Sequence, residues 1–190
     1  MLKTYSARRG ISRTCGIRRF VRVNTFRHHI IPSPLGPLML VADDAERLRG
    51  LYLPDHRRGP AAPPGRRQAG GVIEDAALQL AEYFAGDRTT FELRLVTAGS
   101  PLQERVWDRL RSVPYADTVT YGQIAADLGL PPGVARAIGS ANARNPLSII
   151  VPCHRVVGAS GSLTGYAGGL AAKRYLLDHE ARRVGRILAA

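Results

Sequence analysis

The sequence predicts an α+β chain: a small mixed unit of strands and one helix, then a mostly helical unit. Three observations predict this. Short β-type runs broken by Pro, Gly and Asp fill residues 37–53. Ile73, Ala77, Leu80 and Phe84 then recur at helical spacing up to Gly86. From Ser100 onward the pattern is largely helical, opening on Ser100-Pro101-Leu102-Gln103, a capping box with proline at the first helical position.

The chain starts with an arm, residues 1–23, that is rich in arginine and free of acids. A targeting segment, a nucleic-acid-touching arm and sequence upstream of the true domain start all share that composition. Arginine outnumbers lysine 25 to 2 across the whole chain, a bias that favours a disordered arm without specific function. Cys15 inside it reads as an incidental thiol. Residues 37–42 and 48–53 read as strands joined at Asp43-Asp44-Ala45, where the two carboxylates read as solvated capping groups. Residues 56–71 form a Pro/Gly/Arg loop, the helix follows, and residues 90–96 alternate like a further strand. The expected division is an arm at 1–23, an N-terminal unit at 24–98 and a C-terminal unit at 99–190.

In the C-terminal unit, Leu102, Val106 and Leu110 share a helix face. Tyr121–Leu128 reads as a short helix, 129–133 as a turn and 134–142 as a second helix, the outline of a helix-turn-helix. Around Arg136 that second helix carries small residues, among them Ala135, Gly139 and Ser140. A helix that reads base edges in the major groove carries several long polar side chains. A smooth one with a single arginine suits close approach in the minor groove, or tight packing on another helix.

Charge is uneven. Of the formal +12, residues 1–42 hold +8, residues 43–98 hold −1 and residues 99–190 hold +5. A basic last third suits a polyanion partner. No apolar run approaches the roughly 18 residues that cross a bilayer, so no membrane association is expected. Two cysteines rule out a disulfide framework and fit a reducing compartment.

One of those cysteines lies in "SIIVPCHRVVG", residues 148–158. Cys153 there is a small filler, a metal ligand or a nucleophile. Zinc needs about four ligands, and His28, His29, His56 and His179 show no metal spacing, so no metal is expected. As a nucleophile, Cys153 has His154 beside it as a base and Arg155 as a source of positive potential. The apolar run 147–151 reads as a strand anchoring the site. Residues 161–169 form a glycine-rich loop around one aromatic, Tyr166.

"NPLSIIVPCHRVVG", with "VPYADTVTYGQIAADLG" before it and "TGYAGGLAAKRYLLDHE" after it, resembles the O6-alkylguanine-DNA alkyltransferase family from about residue 24 onward. The resemblance implies a ribonuclease-H-like N-terminal domain and a helical C-terminal domain. It implies a monomer that flips an O6-alkylated guanine out of double-stranded DNA and takes the alkyl group irreversibly onto Cys153, without a cofactor. O4-alkylthymine is a second candidate substrate. By the same resemblance, His154 acts through a water, Glu180 orients the imidazole, Asn145 braces the active-site turn and Tyr166 donates to the guanine N3 edge. The main chain at Val156, Ala167 and Gly168 holds the base. Arg136 fills the space the base leaves, Tyr121 presses on the neighbouring phosphate, and Ala135, Gly139, Ser140 and Arg155 lie on the DNA side. The implied location is wherever the DNA is: cytoplasm, nucleoid or nucleus. Two departures from the family pattern stand out, Ala143 in place of a common glycine and a loop at 129–133 one residue longer.

Overall fold

The strongest strand signal, "LMLVAD", forms the middle of the architecture. In the computed structural model, which describes residues 25–186, strand β2 (Leu38–Asp43) buries five of its six residues. It pairs antiparallel with β1 (Phe26–Ile31) on one side and with β3 (Leu48–Tyr52) on the other. A two-residue strand β4 (Arg66–Arg67) adds parallel to β1 and gives the order β3-β2-β1-β4. The Pro/Gly/Arg loop thus contributes a short strand of its own. The basic arm and Cys15 lie outside the described residues.

Helix α1 (Val72–Ala85) covers this sheet. It ends at Gly86, whose φ of 83° only glycine adopts without strain. Its buried stripe is Val72, Ile73, Ala76, Leu80 and Tyr83, turned slightly from the expected Ala77 and Phe84, which are half-buried.

Two expectations from this unit are corrected. Asp43 is not a solvated cap. It is 2 % exposed and accepts from the main-chain N–H groups of Ala45 and Arg47 and from the Arg47 guanidinium. Residues 90–96 alternate in burial, but they join the sheet only at Leu48, whose N–H donates to Arg94 O and whose carbonyl accepts from Val96 N. An extended tie replaces the expected strand.

Helix α2 (Pro101–Arg111) starts at the capping box, with Ser100 N donating to Gln103 Oε1 at 2.9 Å. A second capping box at Thr120 starts α3 (Tyr121–Asp127). The loop at 129–133 turns through Gly129 and Gly133, both at positive φ, and delivers α4 (Ala135–Asn142). Ala143 sits at φ −68°, a conformation that needs no glycine. A short parallel pair, β5 (Val119–Thr120) and β6 (Val156–Val157), brackets the helix pair, and α5 (Leu170–Arg183) closes the chain.

One hydrophobic core runs through both units. Leu48, Leu51 and Ile73 from the sheet side and Leu110, Ile124 and Ile138 from the helical side all belong to it, each fully buried.

Candidate active site

Residues 147–151 are not the expected strand. They fold into consecutive tight turns: Ile150 N donates to Ser148 O, Val151 N to Leu147 O and Cys153 N to Val151 O. Ile149 holds φ 70° while 1 % exposed, a position a β-branched residue occupies at a cost of about 1–3 kcal/mol. The sheet edge fixes this turn from outside, with Leu51 N donating to Pro146 O and Leu51 O accepting from Ser148 N. Anchorage therefore comes from β3, and the apolar run is buried as a knot.

Asn145 ties the turn from within. Its Nδ2 donates to Val151 O at 2.8 Å and to Cys153 Sγ at 3.0 Å, and its Oδ1 accepts from Leu147 N. Asn142 adds a bond from Nδ2 to Cys153 O. Cys153 opens a single 3₁₀ turn, Cys153–Arg155, and is 2 % exposed. Burial pushes its thiol up to about 11, against the smaller opposing pulls of the Asn145 hydrogen bond and the Lys173 charge. The resting sulfur is a thiol.

His154, fully buried, has Nε2 2.9 Å from Glu180 Oε1. A carboxylate only accepts, so Nε2 carries the proton and Nδ1 keeps its lone pair. Nδ1 makes no hydrogen bond among the described residues. Burial pulls the imidazole below its ordinary pKa and outweighs the Glu180 contact that raises it. The neutral base form is favoured.

Arg155 is a correction. It is 6 % exposed: Nε and Nη2 bond Glu180 at 2.9 Å each, and Nη1 bonds Val113 O. A guanidinium committed in this way cannot reach a phosphate, nor is it the cation that the sulfur feels. That cation is Lys173, which sequence reasoning missed. Its Nζ is buried and donates to Val156 O and Thr164 O, and burial lowers it to about 8. Nothing local in the sequence marks it, since its two acceptors lie 17 and 9 residues away.

Tyr166 is 6 % exposed and its hydroxyl makes no hydrogen bond of ordinary geometry. Burial first, then the nearby Cys153 sulfur, pushes the phenol well above its usual range, while the adjacent Ser148 hydroxyl pulls weakly the other way. It stays a donor. Tyr166, Ala167, Tyr121, Arg136, Gly139 and Thr164 line a cavity of about 510 Å³, which Arg57 and Arg58 from the loop after β3 also line. The Ala167 carbonyl accepts from Arg57 N. Gly168 is packed tightly between the two units: a Cβ there would meet Leu53 at 2.8 Å and the Tyr166 ring at 3.1 Å. The Val156 carbonyl is already engaged by Lys173.

On α4, Ile138, Ala141 and Asn142 face the core, whereas Ala135, Arg136, Ala137 and Ser140 are exposed. Ala135, Ala137 and Ser140 therefore do not serve helix–helix packing. A Cβ on Gly139 would only touch the Tyr121 ring at 3.6 Å, so glycine is not forced there by the neighbour. Arg144, one turn beyond and bonded to Ser140, adds a second exposed cation to this face.

Comparison with known proteins agrees with this geometry. Residues 26–97 match the ribonuclease-like domain of 6-O-methylguanine DNA methyltransferase, and residues 101–182 match its DNA binding domain. A methylated-DNA–protein-cysteine methyltransferase of Mycobacterium leprae is 47% identical over 152 residues, spanning 80% of this chain and 90% of that protein. One of Salmonella typhimurium is 44% identical over 168 residues, 79% and 92% of the two chains. The crystal structure of Mycobacterium tuberculosis OGT in complex with DNA superposes with a TM-score of 0.75 at 44% identity, covering 83% of this chain and 94% of that one. The chain belongs to the 6-O-methylguanine DNA methyltransferase family.

Proposed function

We propose that this chain repairs alkylated DNA by taking the alkyl group of O6-alkylguanine onto Cys153, once per chain. The observation that carries this reading is a single buried thiol, hydrogen-bonded by Asn145 Nδ2 at 3.0 Å, next in sequence to a histidine that is locked to a buried carboxylate. Residues 24–98 serve as the supporting domain and residues 99–190 as the DNA-binding and acceptor domain, acting as a monomer where DNA is housed. Among the described residues no helix is long and apolar enough to cross a membrane.

The target base is stacked inside the duplex, so it must be flipped out at a cost of a few kcal/mol. The exposed, smooth face of α4 approaches the minor groove, Arg136 fills the gap and Tyr121 presses on the adjacent phosphate. The base enters the cavity beside Tyr166 and Ala167. The thiol proton leaves for His154 Nδ1 through a water. The S–C bond forms as the C–O6 bond breaks, and the electron pair departs onto the guanine. Tyr166, held protonated, donates to the N3 edge and stabilises that leaving group. The Lys173 ammonium offsets the sulfur's negative charge as it develops. The thioether product is inert, so the chain acts once. O4-alkylthymine is a secondary substrate of the same displacement.

Incubation with a duplex containing O6-methylguanine, followed by mass analysis of the tryptic peptide 145–155, tests the reading. A gain of one methyl on Cys153 is expected. An unmodified peptide, with the lesion intact, would refute it.

A further inference from the structure

The Glu180 carboxylate accepts more bonds than the site residues alone supply. We propose that Tyr83, on helix α1 of the sheet unit, is a positioning residue for alkyl transfer: its hydroxyl sets the Glu180 carboxylate that orients and tunes His154. This rests on the alkyl-transfer reading above.

Tyr83 is 0 % exposed, and its hydroxyl donates to Glu180 Oε1 at 2.8 Å from 97 residues away in sequence. Oε1 also receives His154 Nε2 and Arg155 Nη2, while Oε2 receives Arg155 Nε and Ala116 N. Two carboxylate oxygens offer roughly four lone-pair sites, so these five bonds leave none idle. The tyrosine ring has little freedom to move. It packs against Phe84, Phe91, Tyr115 and His179 with centroids 5.2–6.1 Å away, and its carbonyl accepts from His179 Nε2 at 2.8 Å. A phenylalanine would fill the same apolar slot, so packing does not account for the hydroxyl. Among the described residues the hydroxyl bonds only the carboxylate that holds the base.

The direction of the effect follows from charge. Each donor to Glu180 withdraws negative charge from the carboxylate and so weakens its pull on the His154 proton. Removing the Tyr83 hydroxyl makes Glu180 a stronger partner and raises the His154 pKa. The other groups facing this pair are Arg155 on the 3₁₀ turn, Lys173 on α5, Tyr115 in the loop after α2, and Tyr166 beside the sulfur. Of these, Tyr115 also packs edge-on against the Tyr83 ring, a contact that phenylalanine at 83 retains.

The test compares the wild-type chain with Tyr83→Phe, using single-turnover transfer from an O6-methylguanine duplex across pH. In parallel, the ring ¹⁵N shifts of His154 are followed by NMR in the unalkylated protein. The acid limb of the rate profile and the His154 titration are both expected to move up by about half a pH unit, with transfer slowed by up to about threefold on that limb. Site-specific 3-fluorotyrosine at position 83, a stronger donor of nearly the same shape, is expected to move both in the opposite direction. Unchanged His154 shifts and an unchanged acid limb in both variants, whatever the loss in melting temperature, would overturn the proposal. The NMR arm needs no transfer, so a wild-type chain that fails to accept methyl sinks the alkyl-transfer reading alone.

Discussion

A thiol held at about 11 is almost entirely protonated at neutral pH, and that is the resting condition of Cys153. The consequence is chemical restraint: a sacrificial nucleophile that ionised freely would be spent on any stray electrophile. A small neutral alkylating reagent at pH 7.5 should label Cys153 at least about 100-fold more slowly than the thiol of a short unstructured cysteine peptide added as the reference. Peptide mass analysis reads both rates, and an inflection for Cys153 near the ordinary cysteine range would contradict it. His154 and Glu180 make a second prediction at this scale. The folded pKa of His154 lies below its unfolded 6.5 and that of Glu180 below its unfolded 4.5. The unfolded chain therefore binds more protons in both windows, so stability falls as pH drops below 6.5 and again below 4.5. Glu180→Gln, which leaves Arg155 buried without its counter-charge, should cost about 3–5 kcal/mol at pH 7. The loss of stability below pH 4.5 should also be smaller in this variant, with the remainder coming from Glu46 and Asp43, whose carboxyls are lowered as well. Urea titrations across pH check both.

At the scale of elements, the exposed face of α4 is the proposed site of DNA contact. Ala135→Leu keeps a good helix former at an exposed position, so the melting temperature should stay within about 2 °C. Duplex affinity should fall by tenfold or more because the added bulk obstructs close approach. Arg136→Ala should slow repair in duplex DNA more than transfer from the free alkylated base, since only the duplex has a gap to fill. Equal losses on both substrates would argue against that role. The sequence was most legible where local chemistry decides structure. The capping box at Ser100, the helix end at Gly86 and the helix pair at 121–142 follow from residue type and spacing alone. It was least legible where tertiary contact overrides pattern. Residues 147–151 carry strand-like apolar residues yet fold as turns, because Asn145 and the β3 edge take their hydrogen bonds. Arg155 looked like a cation for DNA because its partner, Glu180, lies 25 residues away. Lys173 and Tyr83 were invisible for the same reason: nothing local marks a side chain that completes a site built from distant segments.

At the scale of the whole molecule, the two units share one core and the sheet unit reaches the site three times. Leu51 clamps the active-site turn, Arg57 N holds the Ala167 carbonyl and Tyr83 bonds Glu180. The sheet unit is thus part of how the site is held. Charge acts at this scale as well. The arm at 1–23 carries much of the excess positive charge. If it has no specific function, its removal should leave both the transfer rate and the slope of log affinity against log salt unchanged. A slope shallower by about 0.9 per lost phosphate contact would show instead that the arm binds DNA.

The central claim is that one thiol, Cys153, accepts one alkyl group and is then finished. Titrating the chain with an excess of duplex carrying isotopically labelled O6-methylguanine measures this directly. The account predicts uptake that saturates at one methyl per chain, all of it in peptide 145–155, and none in Cys153→Ser. Continued turnover beyond one methyl, or label elsewhere in the chain, would contradict it.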